Sequence, residues 1–259
     1  MGSVLIAYSG GVDSTFLASV ANEVLGQRAM AVFAHSPIYP RHEREDAEAL
    51  ARKLGFRFTM IEGNELKNPR FVANSPDRCY YCKRELVQQL RGIASAEGLD
   101  WVVDGSNYDD LGDYRPGRKA LAELGIRSPL CEVELTKDEI RRLSKKKGLP
   151  TWDKPASPCL ASRIPYGTPV TKDTLRRIAD GERYLRNLGI HECRLRHHEN
   201  IARIEVNGQG MSLLLKNQIR QDLVKQIKAL GYTYVTLDLG GYRSGSLNEE
   251  LIGDVEGRK

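Results

Sequence analysis

Two groups of residues in this chain have the types and the spacing to do chemistry. The first is Ser9-Gly10-Gly11-Val12-Asp13-Ser14, which follows directly on the apolar run Val4 to Tyr8. A strand that turns through two glycines into a helix lets successive backbone N–H groups converge on one concavity, and the positive end of the helix favours an anion there. A nucleotide phosphate is the expected occupant, and ATP is the first ligand to consider. No lysine follows the glycines, so the turn departs from GxxxxGK[ST] and lacks that loop's means of reaching the β- and γ-phosphates. The competing reading is a plain strand-to-helix turn that holds nothing.

The second group is the thiols. Cys79-Tyr80-Tyr81-Cys82 is a CxxC where a helix begins, and the helix dipole there favours thiolates. A second CxxC is absent, and Cys131, Cys159 and Cys193 are isolated, so a four-ligand zinc site is not indicated. Three thiolates suit an iron–sulfur cluster with one iron left open, while the CxxC by itself equally fits two helix-start thiols or a redox couple. Cys159 lies on a proline-stiffened stretch with Arg163 four residues on, a cation that would stabilise its thiolate. Cys131 and Cys193, flanked by apolar or strand-like residues, read as inert.

The elements that must position these groups follow a recognisable order. Strands are expected at Val4–Tyr8, Ala29–Ala34, Phe56–Ile61 and Trp101–Asp104, alternating with helices at Asp13–Leu25, Arg41–Leu54 and Cys82–Glu97. A further helix starts at Thr136, where Glu139 completes a capping box, and Lys145 to Lys147 form a solvated run near its end. This is an α/β pattern: a mainly parallel, doubly wound sheet over residues 1–150. A proline-rich link over 151–170 follows. A smaller α+β domain is expected over 171–259, with helices at Thr171–Leu188 and Lys216–Leu230 and strands at Glu192–Arg196, Ala202–Val206 and Tyr234–Leu239; Gly253 to Lys259 reads as frayed.

At 259 residues the chain is long enough for this two-part plan. No secretory signal and no membrane-length apolar run appears, so a cytoplasmic location with reduced thiols is expected rather than a disulfide framework. The net charge of +5 suits anionic small molecules and is too dispersed to argue for nucleic acid.

Taken in order, SGGVDST (9–15), RCYYCK (78–83), GSNYDDLGDYRPG (105–117) and PCLASRIPYG (158–167) resemble the motifs of the LarE family of ATP-dependent sulfurtransferases, and the likeness covers nearly the whole chain. The first motif alone resembles the wider PP-loop ATP pyrophosphatases, which cleave ATP between its α and β phosphates. The resemblance implies that ATP and Mg²⁺ adenylate a carboxylate of pyridinium-3,5-biscarboxylic acid mononucleotide, that pyrophosphate leaves, and that sulfur replaces AMP. Two rounds give the ligand that holds nickel in the lactate racemase cofactor. Some members sacrifice the sulfur of a cysteine at the position matching Cys159. Others hold a [4Fe-4S] cluster on three cysteines, and Cys79, Cys82 and Cys159 place this chain with the latter, fed by a sulfide or other sulfur donor.

On that reading Cys159 is catalytic, Ser9, Gly10, Gly11, Asp13 and Ser14 cradle pyrophosphate, and Asp13 orients Mg²⁺. Ala34, Ser36 and Gly105 follow strand ends where open parallel sheets bind ligands and are expected to line the adenosine pocket. Arg163, Arg194 and Arg196 offer forks for phosphate or carboxylate, Arg163 toward ATP and the other two toward the substrate; Arg194 and Arg196, two residues apart, fall on one strand face, which fits a substrate phosphate or a plain solvated face. Glu182 and Glu205 would add a metal or ribose contact. Family members begin with a helix ahead of the first strand, so the contacts of a homo-oligomer are expected to differ here. A cluster-bearing tRNA thiolase would run nearly the same chemistry, but no RNA-binding appendage is recognisable in the sequence. A nucleotide-binding or cluster-carrying module without turnover would bind ATP and release no pyrophosphate.

Overall fold

The computed structural model describes residues 1–112 and 116–243. Asp113, Tyr114 and Arg115 of the third motif, and the closing stretch 253–259, lie outside the described residues. The chain divides into two compact units, Met1–Pro158 and Cys159–Lys259, so the proline-rich stretch falls partly in each.

In the first unit the order is β1 (Val4–Tyr8), α1 (Val12–Leu25), β2 (Ala29–His35), α2 (Arg41–Lys53), β3 (Arg57–Glu62), α3 (Pro69–Val72), α4 (Arg78–Ala96), β4 (Trp101–Val103), α5 (Pro116–Glu123), α6 (Pro129–Glu132) and α7 (Lys137–Lys146). The strands form a parallel sheet in the order β3-β2-β1-β4. The chain winds outward from β1 through β2 to β3, then returns to the other side of β1 as β4. That reversal puts the loops after β1 and β4 at the point where open α/β sheets take ligands.

Both faces of the sheet are covered, which is why β1 is apolar without interruption. Val4 and Ile6 pack with Val12, Phe16 and Leu17 of α1 and Ile140 of α7, and Tyr8 packs with Ala47 and Ala51 of α2. Leu5, one residue out of phase, faces Leu90 and Ala94 of α4. The mainly parallel, two-faced α/β architecture read from the sequence is therefore present. The helix expected from Cys82 begins at Arg78, so both thiols of the CxxC lie inside it; buried Arg78 reaches back to the Asn74 side chain and anchors that extra turn. The capping box at Thr136 and Glu139 forms as expected.

The second unit carries α8 (Lys172–Asn187), β5 (Cys193–His198), β6 (Ile201–Val206), α9 (Gly208–Leu214), α10 (Asn217–Ala229) and β7 (Tyr234–Leu237). β5 pairs antiparallel with β6, and β7 pairs parallel with β6. The 160–163 stretch, which has no strand or helix period, folds as one 3₁₀ turn. Among the described residues no helix is long and apolar enough to cross a membrane.

Gly10 combines a φ of +68° with a hypothetical Cβ only 2.8 Å from the Ala47 Cβ. Gly10→Ala would add left-handed strain to a steric clash with α2, and is expected to lower stability by about 1–3 kcal/mol. Urea unfolding measures this; an unchanged midpoint would contradict the packing described.

Candidate active site

The glycine turn is held by its own serines. Ser9 Oγ and Ser14 Oγ are 2.9 Å apart, the Ser9 backbone N–H donates to Ser14 Oγ at 3.1 Å, and Gly11 N–H donates to Ser9 Oγ at 3.4 Å. Gly11 is the N-cap of α1 and has no side chain to satisfy the first-turn N–H groups. An anion is the natural complement to such an end. Gly105 closes against the same turn: a Cβ there would stand 2.9 Å from the Ser14 nitrogen. The structure thus brings Ser9, Gly10, Gly11, Asp13, Ser14 and Gly105 together. Ala34 lies near the end of β2, in register with Ile61, and buried Ser36 follows, its Oγ accepting from Ile38 N–H at 3.4 Å.

Two lysines that sequence reasoning missed reach this turn from far along the chain. Lys137, the first residue of α7, places its ammonium on Asp13 Oδ2, and the Asn107 amide donates to Asp13 Oδ1 at 3.4 Å. Lys154 Nζ donates to the Gly10 carbonyl at 3.2 Å and pairs with Glu43 Oε2 at 2.8 Å. The cationic charge that the glycine motif lacks locally is supplied by tertiary structure. The one sequence signal for Lys137 was its place directly after the Thr136 cap; nothing local marked Lys154. Burial alone would raise the Glu43 carboxyl, but the hydrogen bond and charge of Lys154 outweigh it and hold the group below the usual carboxylate range.

Of the thiols, Cys79 is exposed and Cys82 half-buried, three residues apart at the start of α4 and therefore on one side of it. Cys159 is half-buried and is the residue from which the 3₁₀ turn Leu160–Arg163 starts. Cys193 is fully buried, and burial pushes its thiol up to about 11, which fits the inert role expected of it. Among the described residues of either unit, no three His, Cys, Asp or Glu side chains gather into a metal-holding group.

The arginines and glutamates of the second unit depart from expectation. Arg163 does not present its fork outward: Nε and Nη2 close on Glu182 at 2.8 and 3.1 Å, with both side chains buried. Arg196 closes in the same way on Glu205, at 2.9 Å through both nitrogens. Glu182 and Glu205, expected to offer a metal or ribose contact, are enclosed and each is engaged by two arginines, Glu182 by Arg163 and Arg186 and Glu205 by Arg196 and Arg203. These positions are charged as expected, but which charges meet is set by the fold and not by spacing along the chain. Arg194 differs, being half-buried, lying over the Tyr242 ring at 4.9 Å and donating to its hydroxyl at 3.1 Å.

A family model described as NAD synthase matches residues 1–75. The chain is 39% identical to the pyridinium-3,5-bisthiocarboxylic acid mononucleotide synthase of Lactiplantibacillus plantarum, over 96% of this chain and 90% of that one. It is 48% identical to an uncharacterized protein of Synechocystis, over 95% and 92% of the two chains. A GMP synthase of Aeropyrum pernix is 29% identical over 70% of this chain and 38% of its own.

The Lys154–Glu43 pair generates a pH prediction. Because the folded Glu43 carboxyl sits below its ordinary value, its contribution is full above the ordinary carboxylate range and is lost as pH falls through the folded value. Glu43→Gln is expected to cost about 1–3 kcal/mol near neutrality, a difference that shrinks between about pH 6 and pH 3. Paired denaturation curves check this, and a difference that does not vary with pH would contradict it.

Proposed function

The chain belongs to the LarE family of ATP-dependent sulfurtransferases, and on that footing we propose that its substrate is pyridinium-3,5-biscarboxylic acid mononucleotide. ATP adenylates one carboxylate, pyrophosphate leaves, and a sulfur nucleophile displaces AMP to give the thiocarboxylate; a second round completes the nickel ligand of the lactate racemase cofactor. The observation that carries this reading is the glycine turn at the start of α1, with Asp13 and two lysine ammonium groups gathered on it.

The roles follow from the chemistry of each group. Backbone N–H groups of the first turn of α1 would receive the phosphates, and Asp13 would orient Mg²⁺ at the bond to be broken. Lys137 and Lys154 offset the charge that builds on departing pyrophosphate. Adenylation replaces a poor leaving oxide by AMP, and sulfur, more nucleophilic than water, attacks the activated carbonyl. Thiolates are the donors that iron–sulfur clusters require, and all three candidate cysteines are thiols that are not fully buried. Cys79, Cys82 and Cys159 would hold a [4Fe-4S] cluster, which would supply a replaceable sulfide.

Asp13→Ala is expected to cut pyrophosphate release by at least about a hundredfold with the fold retained, and undiminished release would remove Asp13 from the site. Anaerobically prepared protein should carry about four irons per chain. Cys82→Ala should lose them together with multiple turnover, and a variant that keeps both would overturn the cluster. Mass spectrometry after one turnover should find the chain intact; loss of one sulfur at Cys159 would show that the thiol itself is consumed.

A further inference from the structure

The two buried Arg–Glu pairs share a feature that ion pairing does not require. Each arginine uses two nitrogens on its glutamate and gives its Nη1 to the backbone of the same short turn. Arg163 Nη1 donates to the Cys159 carbonyl at 3.1 Å and to Ser162 Oγ at 2.9 Å, while Arg196 Nη1 donates to the Ser162 carbonyl at 2.7 Å. The Cys159 carbonyl also accepts from Ser162 N–H at 3.0 Å and from Ser162 Oγ at 2.8 Å. Both ends of the turn that begins at Cys159 are therefore gripped by a guanidinium whose own orientation is fixed by a carboxylate.

The carboxylates are anchored in turn. Glu182 accepts from the Leu195 N–H at 3.2 Å and from Arg186 at 2.9 Å, and Glu205 accepts from Arg203 at 3.0 Å. Relative exposure is 2% and 0% for Arg163 and Glu182, and 7% and 0% for Arg196 and Glu205. Pairs this deeply enclosed are poor sources of net stability, since desolvation offsets most of the attraction and apolar replacements often do as well. Two such pairs aimed at opposite ends of one four-residue turn make sense as devices that fix geometry.

We infer that Arg163 and Arg196 are positioning residues, held by Glu182 and Glu205, which lock the backbone of the 159–163 turn and so fix the direction in which the Cys159 thiol is presented. They act through that turn and do not touch substrate. The inference rests on the proposed function only in naming sulfur transfer as the step that depends on Cys159. A bidentate fork is needed for this role, because a lysine cannot hold a carboxylate and a carbonyl in fixed directions at once.

The test uses the full chain with Arg196→Lys and with the isosteric Glu205→Gln, the second serving if the first does not fold. Amide exchange at Ser162 and Ile164 should quicken by about tenfold or more, reporting local opening of the turn. With the biscarboxylic mononucleotide, its Kd and the rate of pyrophosphate release should stay within about twofold of wild type, while saturated thiocarboxylate formation falls by about tenfold or more. Unchanged exchange would overturn the clamp. A Kd raised about tenfold with saturated transfer unaltered would also overturn it, making the arginine a direct substrate ligand. A wild-type chain that releases no pyrophosphate would refute the proposed function instead, and the exchange measurement would still decide the clamp.

Discussion

At Gly10 a hydrogen atom is the largest substituent the fold accepts. Its left-handed backbone turns the chain sharply out of β1, and Ala47 of α2 sits where a side chain would stand. From this one position follow the entry of α1 with Gly11 as its N-cap, the pairing of Ser9 with Ser14, and the closing of Gly105 against the first turn of the helix. β1 can serve as the anchor because it is flanked on both sides by parallel strands and covered on both faces by helices. A turn so confined cannot relax around a ligand, and preorganised dipoles of this kind act on charge without first having to move.

The charges around the turn show how tertiary structure completes what a local motif leaves out. A P-loop carries its lysine within the motif, whereas here Lys137 and Lys154 arrive from the opposite end of the unit and rest on Asp13 and on the Gly10 carbonyl. Both are balanced by carboxylates, Lys137 by Asp13 itself and Lys154 by Glu43. Cations held in this way near an anion site are ready to exchange partners as charge shifts.

Much of this was legible in the sequence because it rests on local rules. The strand-glycine-helix turn, the alternation of strands and helices in the first unit and the Thr136–Glu139 cap each follow from a few adjacent residues, and all of them appear in the fold. What escaped depends on contacts across long separations. Lys154 lies 144 residues from Gly10, and no spacing rule connects them. Strand periodicity put Arg194 and Arg196 on one face of β5, yet their fates diverged. The antiparallel register with β6 sets Glu205 opposite Arg194 and Arg203 opposite Arg196, but Glu205 pairs diagonally with Arg196 while Arg194 lies over the ring of Tyr242. The 3₁₀ turn after Cys159 was invisible for a similar reason, since its order depends on Glu182, 19 residues away, which fixes the turn's own Arg163, and on Arg196, 34 residues from the Ser162 carbonyl it grips.

Adenylation at the glycine turn requires that ATP be broken between its α and β phosphates. Incubating the protein with ATP, Mg²⁺ and the biscarboxylic mononucleotide and separating the nucleotide products tests this. AMP and pyrophosphate in equal amounts are the predicted result, whereas ADP and inorganic phosphate would contradict it.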